Sequence, residues 1–233
     1  MGVTRYQAGG LQGQGGAEDA RLVADLLMRS AGVPPDHARV LVDGEATAAG
    51  IKLAFQRLQK AVESGRDTVF LYLGGAAILE PGTSHYRFLP SDADAAGLVE
   101  TTISGTELSA WIGALRAQWV LAFVDTPHAG AVALPRKPDP GRRAGLFAST
   151  SAASSTASAR LPVGSGIYAQ ALASALQGTA DANRDRLVTL DELRLFLPSA
   201  IGVRTGGSQT PETHAGFGGG LPEIVLPVLN PPG

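Results

Sequence analysis

Residues 124–130, VDTPHAG, set a carboxylate (Asp125), a hydroxyl (Thr126) and an imidazole (His128) within four consecutive positions. A short apolar run, residues 119–124, leads straight into Asp125. That is how a strand end looks in a parallel α/β sheet, where ligands sit outside the carboxyl ends of the strands. A carboxylate and an imidazole there can move protons for a nucleophile. The position between Thr126 and His128, however, is Pro127, which has neither a side-chain heteroatom nor a backbone N–H.

A second constellation is DANRDRLVTLDE, residues 181–192. Asp181, Asn183, Asp185, the Leu187 carbonyl, Thr189 and Glu192 fall at positions 1, 3, 5, 7, 9 and 12 of an EF-hand loop, the oxygen spacing that wraps one Ca²⁺. Position 6, which wants glycine for the sharp turn, is Arg186, a cation beside the ion's place. The alternative is a capped turn, with Asp181 and Asp185 serving the next helix's N-terminus. Ca²⁺ is the one cofactor candidate.

Composition narrows the rest. The 233 residues carry 19 Lys+Arg against 21 Asp+Glu, a net charge of −2, so no broad basic field exists for nucleic acid. There is no cysteine, which removes disulfides, thiolate metal sites and a cysteine nucleophile. No apolar run approaches the roughly 20 residues of a membrane span, and residues 1–10 lack a signal-peptide pattern. A cytoplasmic protein is expected.

The elements that must position these groups alternate. Helical spacing of Ala20, Val23, Leu26 and Leu27 predicts a first helix after the glycine-rich residues 9–16. Residues 37–43 predict a strand. Thr47 is a candidate N-cap for a helix carrying Ile51, Phe55, Leu58 and Val62. Residues 68–73 are a buried strand, and Ser104 with Glu107 forms a capping-box pattern for a helix through Ala117. Strands at 119–125 and 144–149, helices at 166–177 and 189–197, and a last strand at 223–228 follow. Residues 149–160, rich in Ser and Ala, predict a surface loop. The alternation implies one α/β domain around a mostly parallel sheet.

The order of motifs resembles the caspase-like superfamily of cysteine peptidases, and within it the bacterial metacaspase and orthocaspase branch. The pieces are an early DA helix (Asp19, Ala20, Leu27), DGEAT (43–47), DTVFLYLGG (67–75), YRFLPSDAD (86–94), the Ile103–Ser104 helix start, VDTPHAG, GIYAQAL (166–172), DANRDRLVTLDEL and SQTPE (208–212). The resemblance implies a caspase-hemoglobinase-like α/β fold, with about six strands in a mostly parallel central sheet and helices on both faces. It also implies a His–Cys dyad drawn from S-G-H-G and D-x-C-H-S-G. Those motifs align with residues 74–77 and 125–130, so Ala76 stands at the base position and Pro127 at the nucleophile position.

What the resemblance leaves is binding. In the metacaspase branch an acidic S1 pocket accepts Arg or Lys, and the matching positions are Asp92 and Asp125, with His128 beside them. The expected function is therefore that of a pseudopeptidase. It binds a peptide or protein partner carrying Arg or Lys, or pairs with an active relative through an edge strand. One rival is a hydrolase rebuilt around Asp125, His128 and His85; another is a purely structural module. Only residues 1–5 precede Tyr6, so the first strand is expected to be short.

Overall fold

The computed structural model describes residues 1–8, 15–62, 65–80, 82–136, 139–153, 166–218 and 220–229. In chain order the elements are α1 (Gly16–Ala31), α2 (Ala48–Ala61), β1 (Thr68–Gly74), β2 (Ala77–Leu79), β3 (Tyr86–Phe88), a one-turn α3 (Leu98–Thr101), β4 (Ile103–Ser104), α4 (Gly105–Ala114), β5 (Trp119–Asp125) and β6 (Arg143–Ala148). Then come α5 (Ile167–Ser174), which runs into a widened turn at Ala175–Thr179, β7 (Leu187–Thr189), α6 (Leu190–Thr205), β8 (Glu212–Gly216) and β9 (Val225–Pro227).

The expected caps are present. Thr47 Oγ1 accepts the Gly50 N–H at 3.0 Å, and Ser104 with Glu107 closes a reciprocal capping box. α4 stops at Ala114 rather than Ala117. The chain turns extended at Leu115, and the Arg142 guanidinium donates to the freed carbonyls of Leu115 and Ala117. α6 runs past the expected end at 197, through Pro198, because Leu193, Leu197 and Ile201 continue one buried face.

β1, β5 and β6 are parallel, and β8 closes one side antiparallel to β6. On the other side Gly2 bridges in parallel to both Gly74 and Val42. The main sheet has four strands rather than about six, with two further segments joined only through the Gly2 bridges. The strand expected at 37–43 is thus reduced to a single bridge, held by Gly2 N–H to Leu41 O and Asp43 N–H to Gly2 O, each 3.0 Å. Its partner is short because the Asp43 carboxylate captures the amides of Thr4 and Arg5, at 2.8 and 3.0 Å, and turns the chain aside. Here three backbones converge: a Cβ on Gly2 would lie 1.8 Å from Gly16 O, and one on Gly16 only 2.5 Å from Gly74 O.

Three strands of a small sheet, β2–β3–β4, and the edge strand β8 were not expected. The first are three residues or fewer, and β8 (ETHAG) is polar with exposed His214 and Ala215, so neither carries an apolar alternation. The strand expected at 223–228 forms, but pairs with β7 rather than with the main sheet. Residues 149–153 are a loop, and residues 154–160 lie outside the described residues. Both sheet faces are covered. Ile51, Phe55, Leu108 and Ile112 pack on one; Val23, Leu26, Tyr168 and Leu172 pack on the other.

Asp43 predicts an acid response. Burial would raise its pKa, but the amides of Arg5 and Thr4 and the Arg5 guanidinium outweigh that and hold it below the ordinary value of 3.8. A depressed folded pKa contributes stability that is complete above the unfolded value and is lost as pH falls through the lower folded one. Urea melts between about pH 6 and pH 3 are expected to show a shallower acid decline for Asp43→Asn than for the unsubstituted protein. Parallel declines would refute the assignment.

Candidate functional site

The register of β1 with β5 ends at Gly74 opposite Asp125, and the Gly75 N–H reaches back to Asp125 O at 3.3 Å. Ala76 and Pro127 each stand two residues beyond that final pair. Both therefore follow the carboxyl ends of two adjacent parallel strands, the side on which open α/β sheets bind ligands.

Neither position is an open socket. The Ala76 N–H donates to the Tyr6 hydroxyl at 2.8 Å, and its carbonyl accepts from Leu89 N–H at 3.0 Å. Burial pushes the Tyr6 phenol up to about 12. Thr126, fully buried, hydrogen-bonds the Tyr86 hydroxyl at 2.9 Å and donates to Pro127 O at 3.0 Å. His128 takes a left-handed φ of 57°, and its Nδ1 faces Ala152 O at 3.0 Å. The Ala129 and Gly130 amides bond the Thr150 hydroxyl and carbonyl. Residues 126–130 are thereby fixed to residues 150–152.

Gly130 is the close point of that contact. A Cβ there would stand 2.2 Å from Glu212 Oε2 and 2.7 Å from Ala152 N. Gly130→Ala is expected to displace Glu212 and loosen the two loops at a cost of about 1–3 kcal/mol, the usual range for overpacking. Thermal denaturation checks it, and an unchanged melting temperature would contradict the packing described.

The rebuilt triad of His85, Asp125 and His128 is not assembled. His85 is exposed before β3, with its carbonyl taken by Glu80 N–H at 2.8 Å. Asp125 Oδ2 accepts the Tyr72 hydroxyl at 3.2 Å, and His128 faces Ala152.

Asp92 also departs from expectation: its Oδ1 accepts the Ala48 N–H at 2.8 Å and caps α2. The carboxylate gathered with Asp125 is instead Asp19. Both are buried, at 1% and 3% exposure. The Gly166 N–H donates to Asp19 Oδ1 at 2.8 Å, and a Cβ on Gly166 would lie 3.0 Å from Asp19 Oδ2 and 3.7 Å from Asp125 Oδ2. Burial, and then the charge of Asp125, drives the phenols of Tyr72 and Tyr168 well above their ordinary value, with Asp19 adding to Tyr72. Ser149 Oγ is buried and, among the described residues, has no hydrogen-bond partner. One signal for Asp19 was available. It is an acid on the same α1 stripe as Ala20, Val23 and Leu27, where a charge has no place unless it meets a polar partner.

The loop at residues 181–192 folds as a capped turn. Asp181 Oδ1 and Oδ2 accept the amides of Asp185 and Arg186 at 3.1 and 2.9 Å. Asp185 accepts from Leu187 N–H and from Asn183 Nδ2. Thr189 and Glu192 form a capping box on α6, and Glu192 Oε1 also accepts Ala182 N–H. Burial raises the Glu192 pKa, but the Thr189 hydrogen bonds and those from Ala182 and Asn183 hold it below 4.5. Arg186 adopts φ 68°, the conformation glycine favours at that position. Among the described residues, no group of three or more His, Cys, Asp and Glu is placed to hold a metal ion.

With the rim in view, comparison identifies the scaffold. The model of the caspase domain family matches residues 1–216, and the chain belongs to that family. No curated protein matches it. Among solved structures, the crystal structure of protein GSU0716 from Geobacter sulfurreducens is similar in fold, with a TM-score of 0.65 at 18% identity over 97% of each chain. Among the described residues, no helix is long and apolar enough to cross a membrane.

Proposed function

We propose that this chain is a caspase-like pseudopeptidase of the metacaspase–orthocaspase type, a non-catalytic binding or regulatory protein. Its acidic cleft takes an Arg- or Lys-bearing segment of a peptide or protein. The observation that carries the reading is the pair of dyad positions. Ala76 and Pro127 stand at the ends of β1 and β5, in a chain without cysteine. An alanine cannot accept a proton, and proline supplies neither a thiolate nor an oxyanion-holding N–H.

The binding half rests on Asp19 and Asp125. Both lie near the carboxyl ends of the strands, where open α/β sheets bind ligands, and guanidinium donors match carboxylates in pairs. Asp92 belongs to the α2 cap and takes no part. Fluorescence anisotropy with labelled peptides carrying Arg, Lys or Glu tests the reading. Arg and Lys peptides are expected to bind, and Asp19→Asn with Asp125→Asn to weaken them about tenfold or more, the loss of one buried charge-assisted contact. Equal binding of the Glu peptide would refute it. No binding by a folded protein would leave a structural module.

A further inference from the structure

β8 ends the main sheet, and only its side toward β6 is paired. In an antiparallel ladder alternate residues turn their N–H and C=O groups away from the neighbouring strand. Among the described residues, no backbone group outside the ladder bonds those outward groups of Glu212–Gly216. Sheet edges are commonly blunted by Lys, Pro or a bulge. β8 has none of these: its sequence is ETHAG, and its five residues pair with β6 in unbroken register.

Along this edge runs a groove of about 690 Å³, a volume typical of ligand sites. Thr213, His214 and Ala215 line one side of it together. Consecutive strand residues point to opposite faces, so a groove that all three share lies along the edge rather than over one face. Thr213 stands opposite Phe147, on the face that α5 and α6 cover, and His214 opposite Leu146, on the other. The far wall carries Leu190, Ile224 and Val225, and Val225 is 51% exposed.

The charge around the groove is one-sided. Asp191 and Glu223 line it, and Glu212 stands at its start, 3.3 Å from His214 Nε2. Arg194 also lines it but is held by Asp191 at 3.1 Å. Glu223 is exposed, and among the described residues it enters no ion pair.

We propose that β8 accepts an extended basic segment of another protein as an added strand. The outward N–H and C=O groups of β8 supply main-chain hydrogen bonds, and the groove sorts the side chains. Apolar ones meet Leu190, Ile224 and Val225; Lys or Arg meets Glu212 and Glu223. A second β8 is the poorer occupant, because isologous pairing sets the same acid-lined groove against itself. The inference goes beyond the cleft reading and rests on neither Asp19 nor Asp125.

Fluorescence anisotropy tests it with a labelled peptide of alternating Lys and Val, about eight residues long so that it overlaps the whole strand. The Lys–Val peptide is expected to bind, and its Glu–Val counterpart to bind about tenfold more weakly or worse. A Lys–Val peptide N-methylated at every amide keeps the charge but has no donors, and is expected not to bind. Ala215→Lys with Glu223→Lys is expected to weaken the Lys–Val peptide about tenfold or more and to strengthen the Glu–Val one, a gain that also shows the variant is folded. No binding of the Lys–Val peptide, or equal binding of either counterpart, would overturn the proposal. So would Lys–Val binding that survives the double substitution but is lost in Asp19→Asn with Asp125→Asn; that peptide sits in the cleft, and the cleft reading stands. Sedimentation velocity of the protein alone completes the test. Self-association that the double substitution abolishes would make a second copy the occupant, and the proposal would fall.

Discussion

Fluorogenic peptides with Arg, Lys or Asp before the scissile bond are expected to stay intact in the presence of this protein, with or without Ca²⁺. Removing the nucleophile or the base of a covalent hydrolase costs on the order of 10⁶ in kcat, and residual binding catalysis does not recover it. On the proposed reading Ala76 and Pro127 vacate both positions, and the neighbouring hydroxyl, Thr126, is fully buried between Tyr86 and the Pro127 carbonyl. His128, the nearest imidazole in the chain, is turned to Ala152. Any background cleavage should be the same in His128→Ala and Asp125→Ala preparations, which marks it as contamination. Cleavage abolished by both substitutions would mean that the rim has a working nucleophile, and the pseudopeptidase reading would fall.

The largest effect on stability is expected from Phe123→Ala. Phe123 is fully buried in β5, with its ring 5.6 Å from that of Phe147 in β6 and α5 packed over both. Truncation removes the apolar contact and leaves a void in the middle of the sheet, a loss of about 3–5 kcal/mol. At this chain length each kcal/mol moves the melting temperature by about 2–4 °C, so a drop of roughly 6–20 °C is expected. Leu53→Ala, on the 45% exposed face of α2, is the matching control and should change stability by no more than about 0.5 kcal/mol. Urea titration separates the two readily. A Phe123→Ala protein as stable as the control would mean that this face of the sheet is not the packed layer described.

The main elements were legible because their signals are local. The uniform apolar run of β5, the Thr47 and Ser104 caps and the α1 stripe each announce themselves within a dozen residues. β8 was not, because an edge strand of Thr, His and Ala has no apolar alternation and exists only through pairing with β6. The strand at 37–43 failed for the opposite reason: its sequence suits a strand, but Asp43 shortens the partner it needs. At the site, motif order puts Ala76 and Pro127 two residues past β1 and β5, whose ends the register pairs at Gly74 and Asp125. Asp92 caps α2 through the Ala48 amide, and nothing in the sequence distinguishes a carboxylate so bound from one facing a ligand. Asp19 escaped because Gly166, whose amide it accepts, lies far along the chain.

The meeting of Gly2, Gly16 and Gly74 bears on how this sequence is free to vary. At most crowded positions an added methyl meets another side chain, and a second change nearby can make room. Here the obstacles are the Gly16 and Gly74 carbonyl oxygens, which belong to the backbone and cannot be traded away. Drift at Gly2 and Gly16 is therefore blocked singly and together, whereas at Gly74 the obstacle is the Tyr72 ring, a side chain. It opens only if α1 slides bodily away from β1, and that movement would carry Asp19 out of reach of the Gly166 amide. Two residues with no functional group thus lock α1 against the sheet, and with it the Asp19 carboxylate against the Gly166 amide.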